Sequence, residues 1–224
     1  MPASRERRAI GCAVALAILA AGERARAAVA PPAAAAVAAH CRARAALSTL
    51  RARFVQTKVF AAIGEEDRSE GVVLYRKPDA LRWEYTEPDR SWTVLRGGKG
   101  WAVFPRLRQV QRFSLEPSRA EALFSTIGFG ACGEAFTDAF DIALAPGGGR
   151  GPVLALSPRR AELAGAFTRI ELTLDPTDAL PRRIFLHEST GDSVIFELRD
   201  VERGASIDRA LFEYEVPKGY SVAQ

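Results

Sequence analysis

The sequence predicts a mainly β fold with some α-helix, in which a large curved antiparallel sheet of about eleven strands forms an unclosed half-barrel covered by about three α-helices. Three observations lead to this prediction. Apolar runs of strand length recur along the chain, and turns rich in Pro, Gly and Asp separate them. Helical composition is confined to three segments. No linker-like or repeated stretch divides the chain after its first 27 residues, so one wrapped sheet fits better than two domains.

Residues 71–105 carry the clearest strand signal. Four apolar runs are separated there by breaks containing Pro or Gly, and two of the loops are too short for a crossover helix. Side chains alternate between the faces of a strand, so Leu81, Trp83 and Tyr85 share one face while Arg82 lies on the other. This stretch therefore predicts an antiparallel meander with one apolar side.

The other strands are predicted from runs of the same kind. Thr190-Gly191-Asp192 joins two of them as a tight hairpin. The glycine-rich residues 146–151 are interpreted as a hairpin tip and not as a phosphate loop, because strand-like residues follow where a phosphate loop needs a helix. The predicted strands cover about 53–62, 69–77, 80–86, 91–96, 100–105, 108–114, 140–145, 152–157, 166–174, 181–189, 192–200 and 211–215.

Helix is predicted in three segments. Ala33 to about Arg53 is rich in Ala, Leu and Arg and contains no Gly or Pro, which favours helix. Residues 119–128 place apolar side chains at helical spacing after a Ser118 N-cap, and the helix ends at its glycine. A short helix is also predicted from about Cys132 to Ala139.

The first 27 residues have the pattern of an export signal. Basic residues precede an apolar run of about a dozen residues, and Ala25-Arg26-Ala27 provides a small-x-small cleavage site. A membrane-spanning helix needs about 20 apolar residues, and this run is shorter. We therefore expect cleavage near Ala27, a periplasmic location in a Gram-negative cell, and a single domain over residues 28–224.

Cleavage would leave a nearly neutral chain. The leader holds five Arg and two Glu, so its removal reduces 31 basic and 27 acidic residues to 26 and 25, and the net charge falls from +4 to about +1. Nucleic-acid-binding proteins need clustered Lys and Arg on one face. The composition therefore predicts no nucleic-acid partner.

Catalytic and metal-binding motifs are missing from the sequence. His40 and His187 have no motif around them, and there is no nucleophile elbow, zinc-protease helix, Walker loop or Cys-x-x-Cys pair. The sequence therefore predicts a protein that is not an enzyme and has no metal or cofactor. Cys41 and Cys132 remain after cleavage; an oxidising compartment permits a disulfide between them, and buried free thiols are the alternative.

The meander resembles a known family. It contains Y-R-K-P-D-A-L-R-W-E-Y-x-x-P from Tyr75 onwards, then a Val-Leu run, G-x-x-G-W and F-P, in an order similar to the core motif of the periplasmic LolA-type lipoprotein carriers. Phe54-Val55-Gln56 is similar to the family's early F-x-Q, and residues 212–219 are similar to its closing F-x-x-x-x-P-x-G. The resemblance therefore covers most of the chain after the leader.

This resemblance implies an apolar cavity for acyl chains and a helical lid that closes over it. In the family, the basic residue before the motif's proline reaches from the sheet to the lid. Lys77 holds this position in place of Arg, and a lysine lacks the planar fork of a guanidinium. Arg76 is the neighbouring candidate, although strand alternation points it to the opposite face. The predicted cavity residues are Phe54, Leu81, Trp83, Trp92, Val94, Trp101 and Val103, and the predicted lid residues are Leu47, Leu50, Leu123, Phe124, Ile127 and Phe129.

Three functions are compatible with such a cavity. The first is a monomeric periplasmic carrier that takes acylated lipoproteins from an inner-membrane extraction complex to an outer-membrane acceptor. The second is a LolA-like carrier of another lipid conjugate, such as an aryl-polyene or a glycolipid, linked to a dedicated exporter. The third is a lipid-sensing regulatory module. The resemblance favours the first.

Overall fold

A computed structural model describes residues 31–115, 132–146 and 149–223. Within these ranges, twelve strands form one sheet. They are β1 Thr49–Phe60, β2 Glu65–Arg76, β3 Ala80–Glu87, β4 Ser91–Arg96, β5 Lys99–Phe104, β6 Gln109–Ser114, β7 Phe140–Ala145, β8 Val153–Pro158, β9 Phe167–Leu174, β10 Pro181–Glu188, β11 Ser193–Arg203 and β12 Ser221–Ala223.

The strands lie in the order β12-β6-β5-β4-β3-β2-β1-β11-β10-β9-β8-β7. All neighbouring pairs are antiparallel except β12 and β6, which are parallel. Because β12 and β7 end the order without pairing to each other, the sheet is an unclosed half-barrel. The predicted fold class is confirmed.

Turn chemistry fixes the register of the meander. Gly97 and Gly98 have φ angles of 59° and 72°, the left-handed values that a two-residue hairpin turn requires. This turn pairs Val94 with Trp101 and Leu95 with Gly100. The turn between β3 and β4 pairs Trp83 with Thr93. The alternation predicted for Leu81 and Trp83 therefore extends across the neighbouring strands.

One predicted strand is wrong. Residues 211–215 do not form a strand; Arg209–Phe212 is a 3₁₀ helix, and the last strand is β12. Asp208 caps this short helix by accepting a hydrogen bond from the Ala210 amide (3.0 Å). Phe212 is 1% exposed and packs on the sheet. The segment therefore covers a face of the sheet and does not extend an edge.

The described helices are α1 Pro31–Ala46, α2 Glu134–Ala139 and α3 Ala161–Ala164. The first predicted helix extends too far, because its last residues belong to β1, where Leu50 and Phe54 pack in the core. The β-branched and aromatic residues of Thr49–Phe60 favour a strand over the continuation of an Ala-rich helix. The predicted helix over 119–128 and the predicted leader over 1–27 lie outside the described residues.

The two faces of the sheet carry separate apolar clusters. We call the face on which α1 packs the inner face, and its core extends from Leu95 on β4 through Phe54 on β1 to Ile142 on β7. The outer face carries a smaller cluster centred on Val94 and Trp101, over strands β2 to β6 only. Each face therefore has its own cover.

Residues 204–223, here called the C-terminal strap, cover that outer cluster. Phe212 and Ile207 of the strap are buried in it. Side chains of the sheet hold the strap by its backbone: Arg82 donates to the Leu211 carbonyl (3.2 Å) and Thr49 to the Ala205 carbonyl (2.8 Å). The strap then ends as β12 beside β6. It crosses from the middle of the sheet to one edge.

Helix α1 is attached to the rest of the fold at its middle. Cys41 and Cys132 form a disulfide, with their Cα atoms 5.5 Å apart, so the alternative of two free thiols is excluded. His40 is buried and donates from Nδ1 to the Ala179 carbonyl (3.0 Å). Burial is the main cause that lowers the pKa of His40. The hydrogen bond with Ala179 acts to raise this pKa, and the charge of Arg44 acts to lower it further. A neutral His40 therefore ties the helix to the turn between β9 and β10.

Over the part of the chain that is described, none of the helices combines the length and the apolar character needed to cross a bilayer.

Candidate functional site

The inner face carries a cluster of aromatic rings at its centre. The ring of Phe54 lies 4.7 Å from that of Trp83 and 5.2 Å from that of Tyr85, and Phe196 lies 5.0 Å from Trp83. These centroid distances are typical of favourable aromatic pairs. Phe54 and Tyr85 stand in register across β2, because the pairing of β1, β2 and β3 aligns Phe54, Gly71 and Tyr85.

Gly71 makes room for this cluster. A Cβ atom at position 71 would lie 2.6 Å from Cζ of Phe54, closer than real Cβ atoms come to other heavy atoms. The Phe54 ring therefore lies against the backbone of β2. A glycine inside a strand marks such a close approach.

The structure divides the predicted cavity residues between the two faces. Phe54, Leu81 and Trp83 lie on the inner face, where they are 1%, 4% and 9% exposed. The other four lie on the outer face with the C-terminal strap, so their predicted place in the same cavity is wrong. These four residues are Trp92, Val94, Trp101 and Val103.

Register explains this correction. Val94 pairs with Arg82, and Trp92 pairs with Glu84, so both of these β4 residues share the face opposite to Leu81 and Trp83. Val103 pairs with Trp92 and stays on that outer face. Most of the large apolar side chains of β4 and β5 stand on the outer face, and the pairing across the turns shows this placement.

Sequence reasoning missed several inner-face residues. Phe196 completes the aromatic cluster, and Leu154, Leu172 and Ile184 extend the apolar surface across β8, β9 and β10 with no measurable exposure. Alternation within those strands was a usable signal, because Ile184 and Leu186 are separated by one residue, as are Val194 and Phe196. The inner face is therefore apolar across most of the sheet.

Lys77 connects the sheet to α1. It follows β2, and its Nζ donates to the Ala45 carbonyl in the last turn of α1 (3.1 Å). The Lys77 amide also donates to the Ser48 carbonyl (2.8 Å). A cation at the C-terminal end of a helix interacts favourably with its unpaired carbonyls. The residue predicted as the clasp therefore contacts a helix that lies on the inner face.

Arg76 does not take part in this contact. Its Nη1 donates to the Ile207 carbonyl of the C-terminal strap (3.1 Å), on the outer face. Strand alternation places Arg76 and Lys77 on opposite sides. The inclusion of Arg76 among the clasp residues is therefore wrong, and its observed role is to hold the strap.

The predicted lid residues fall into three groups. Leu47 lies directly after α1 and is buried in the inner core. Leu50 belongs to β1 and forms part of the sheet, so its assignment to the lid is wrong. The remaining four lie outside the described residues, and their role stays a prediction. They are Leu123, Phe124, Ile127 and Phe129.

One end of the inner face is polar. Tyr85 donates its hydroxyl hydrogen to Oε1 of Gln56 (2.6 Å), and Lys58 Nζ lies 3.6 Å from Oε2 of Glu188. Burial raises the pKa of the Tyr85 hydroxyl, so this group stays protonated at neutral pH. The inner face therefore changes from aromatic to hydrogen-bonding along β1.

A family comparison identifies this architecture. The family model described as outer membrane lipoprotein carrier protein LolA matches residues 45–215, which include most of the sheet and part of the strap.

The chain belongs to the LolA family.

Two relatives named outer-membrane lipoprotein carrier protein agree with this membership. The LolA relative from Alkalilimnicola ehrlichii is 30% identical over 178 residues, which cover 80% of this chain and 78% of the relative. The one from Methylococcus capsulatus is 28% identical over 176 residues, covering 78% and 80%. Among solved structures, an uncharacterized conserved protein from Thermus thermophilus has a similar fold, with a TM-score of 0.53 and 16% identity over 85% of this chain and 98% of that chain.

Proposed function

We propose that this protein is a periplasmic carrier that binds the acyl chains of lipoproteins and shuttles these proteins from the inner to the outer membrane. The observation that carries the proposal is the apolar inner face of the half-barrel, centred on Phe54 and Trp83, in a chain of the LolA family. The names of the relatives support lipoproteins as the cargo.

The energetic requirement is apolar surface. Burying one CH₂ group stabilises it by about 0.8 kcal/mol. Moving a single long acyl chain from an apolar environment into water therefore costs on the order of 10 kcal/mol of free energy. A carrier must provide a comparable apolar environment during the crossing. The inner face offers aromatic and aliphatic side chains from β1 to β4 and from β7 to β11 for this purpose.

The burial of these side chains describes a closed state. Because Phe54, Leu81 and Trp83 are nearly inaccessible, an acyl chain reaches them only after elements packed on the inner face move away. The contact from Lys77 to Ala45 is one that would break or shift in such a movement. Closed and open states of similar free energy allow the cargo to shift the balance between them.

The proposal includes the predicted partners and location. An inner-membrane extraction complex would load the cargo, and an outer-membrane acceptor would receive it. The protein would act as a monomer in the periplasm after cleavage near Ala27, and it would carry out no chemical step. The predicted lid residues between 123 and 129 would cover the bound chains.

Native mass spectrometry tests this function. The full-length chain would be produced with its own leader in a Gram-negative bacterium, purified from the periplasm without detergent, and measured intact. The proposal predicts a mature chain carrying a triacylated protein, which is released when outer membranes are added. A bound aryl-polyene or glycolipid would show that the cargo is another lipid conjugate and not a lipoprotein. A chain that never binds lipid or an apolar probe would contradict carriage altogether.

A further inference from the structure

We propose that a cluster of four side chains at one end of the inner face binds the ester carbonyls of a diacylglyceryl group through the N–H and O–H donors that the cluster supplies. These residues, Gln56, Lys58, Tyr85 and Glu188, are here called the polar band. The inference rests on the proposed function, because it assigns a position to the head of the cargo whose acyl chains occupy the apolar face. It adds a site that recognises polar groups to a surface that otherwise recognises only apolar ones.

Strand register places the band on the inner face. Gln56 and Lys58 alternate with Phe54 along β1, so they share its side of the sheet. Lys58 pairs with Val194, which is buried in the inner core. Tyr85 belongs to the same side of β3 as Trp83, and its ring packs edge-on against Phe54. The polar band is therefore continuous with the aromatic cluster.

The contacts within the band leave hydrogen-bonding capacity unused. Lys58 has three ammonium protons, and its ion pair with Glu188, at 3.6 Å, engages one carboxylate. The Tyr85 hydroxyl donates to the side chain of Gln56, which is itself only partly buried. Lys58 has protons free for an incoming acceptor, whereas the single proton of Tyr85 must leave Gln56, whose side chain is partly exposed to solvent, before it can be donated to one.

The burial of the ion pair suits a binding role. The Lys58 side chain is 31% exposed and the Glu188 side chain 23%, so a ligand can reach both groups from the solvent. Lys58 Nζ also lies 5.1 Å from the centre of the Phe60 ring, which holds the ammonium next to apolar surface. This is the environment in which an ester group joined to two acyl chains would lie.

The chemistry of the donors selects the ligand. Ester carbonyls accept hydrogen bonds but donate none, and Lys58 and Tyr85 supply donors. A free hydrocarbon or an apolar dye gains nothing from these two groups. Diacylglyceryl esters occur both in acylated lipoproteins and in phospholipids, so the band recognises the chemistry that these two ligands share.

A purely structural role for the ion pair leads to a different expectation. Lys58 on β1 and Glu188 on β10 would then only connect two strands across β11. A partly exposed ion pair contributes little to stability, since exposed pairs typically supply only a small fraction of the free energy of unfolding. Under this alternative, the loss of either partner would lower the melting temperature equally, and neither loss would change the affinity for lipid.

The test compares three ligands on the mature chain. They are a triacylated cysteine lipopeptide, a phosphatidylethanolamine with the same acyl chains, and an apolar fluorescent dye without ester groups. The variants are Lys58→Met, Tyr85→Phe and Glu188→Gln, and Lys218→Met is the matched control because Lys218 is exposed on the strap. Dissociation constants are measured at equal, low detergent, and folding is checked by circular dichroism.

The band predicts a selective loss. Lys58→Met and Tyr85→Phe should each weaken the binding of an ester-containing ligand by about fivefold, the effect of one net hydrogen bond, and leave dye binding unchanged. Glu188→Gln should retain or increase the affinity, because it frees the ammonium. The ligand that shows the loss identifies the source of the ester.

Other outcomes overturn the inference. An equal effect on the dye and on the ester-containing ligands would show that Lys58 only shapes the apolar surface. Unchanged affinities in both variants would exclude the polar band as a binding site. If the unmodified chain bound none of the three ligands, the proposed function itself would fail, and this result is separate from the first two.

Discussion

Large apolar side chains stand on both faces of strands β3 to β5, and the two faces differ in what covers them. Trp83 lies on the inner face among aromatic rings, whereas Trp101 lies on the outer face beneath the C-terminal strap. Phe212 of the strap is buried in the outer cluster, so a segment of the protein itself covers this face. A tryptophan that points to the inner face of this meander is therefore a candidate for ligand binding, and one that points to the outer face is a structural residue.

Backbone hydrogen bonds reinforce the difference. Arg76, Arg82 and Thr49 each donate to a carbonyl of the strap, at 3.1, 3.2 and 2.8 Å. On the inner face, Lys77 donates to the Ala45 carbonyl of α1 from an exposed position. Partly buried anchors hold the outer cover at several points. The outer face therefore stabilises the fold, and the inner face is the one to which the proposed function assigns the cargo.

The largest expected effect is on the outer cover. Phe212→Ala should lower the free energy of unfolding by about 3–5 kcal/mol, because it removes a fully buried ring from the outer cluster. Urea denaturation measures this loss, and Leu211→Ala, at a neighbouring side chain that is 37% exposed, is the control. The lipid affinity of the folded protein should not change. A fall in affinity at unchanged stability would contradict the separation of the two faces.

The half-buried ion-pair network of the outer face has a smaller effect. Glu84 accepts hydrogen bonds from Arg82 (2.7 Å) and Arg90 (2.9 Å), and both guanidinium groups lie over the Trp92 ring. Glu84→Gln should cost about 2 kcal/mol of stability at pH 7, the value of hydrogen bonds to charged groups. Glu202→Gln, at an exposed ion pair, should cost far less and serves as the control.

The same carboxylate predicts a pH dependence. Burial acts to raise the pKa of Glu84, but the hydrogen bonds and charges of Arg82 and Arg90 outweigh it, so the pKa lies below its ordinary 4.5. The unfolded state therefore takes up the proton first as the pH falls. The stability difference between the wild type and Glu84→Gln should be full above pH 4.5 and should shrink below it. A stability difference that stays constant below pH 4.5 would contradict this assignment.

The smallest expected effect is on the inner cover. Lys77→Met removes the hydrogen bond to α1, and it should raise the affinity for an apolar fluorescent dye by about threefold, since an exposed contact contributes less than about 1 kcal/mol to the closed state. Fluorescence titration measures the change, with Lys218→Met as the control. Reduced dye affinity would mean that Lys77 organises the binding surface and does not hold it closed.

The sequence was sufficient for most of the strands because their signals are local. Alternation in Leu81, Trp83 and Tyr85 and the Gly97-Gly98 turn determine strands and hairpins without reference to the rest of the chain. The C-terminal strap was not predictable in this way. Phe212 is of a residue type common in strands. Its role as a cover follows only from the apolar outer surface of β2 to β6, on which it packs.

The site was predictable in part for a similar reason. Alternation assigned Lys77 and Leu81 to one face and also argued against Arg76. The position of Trp92 depended on how β4 pairs with β3, which a turn of several residues leaves open to either parity. The polar band joins β1, β3 and β10, so no stretch of sequence contains it.

Photolabelling tests the central claim most directly. A triacylated cysteine lipopeptide with a diazirine in one acyl chain would be bound to the protein and irradiated, and the labelled residues would be identified by fragmentation in a mass spectrometer. The account predicts labels at inner-face positions such as Phe54, Leu81 and Trp83. Labels at Trp92 or Trp101 beneath the strap, with the inner positions unlabelled, would contradict it.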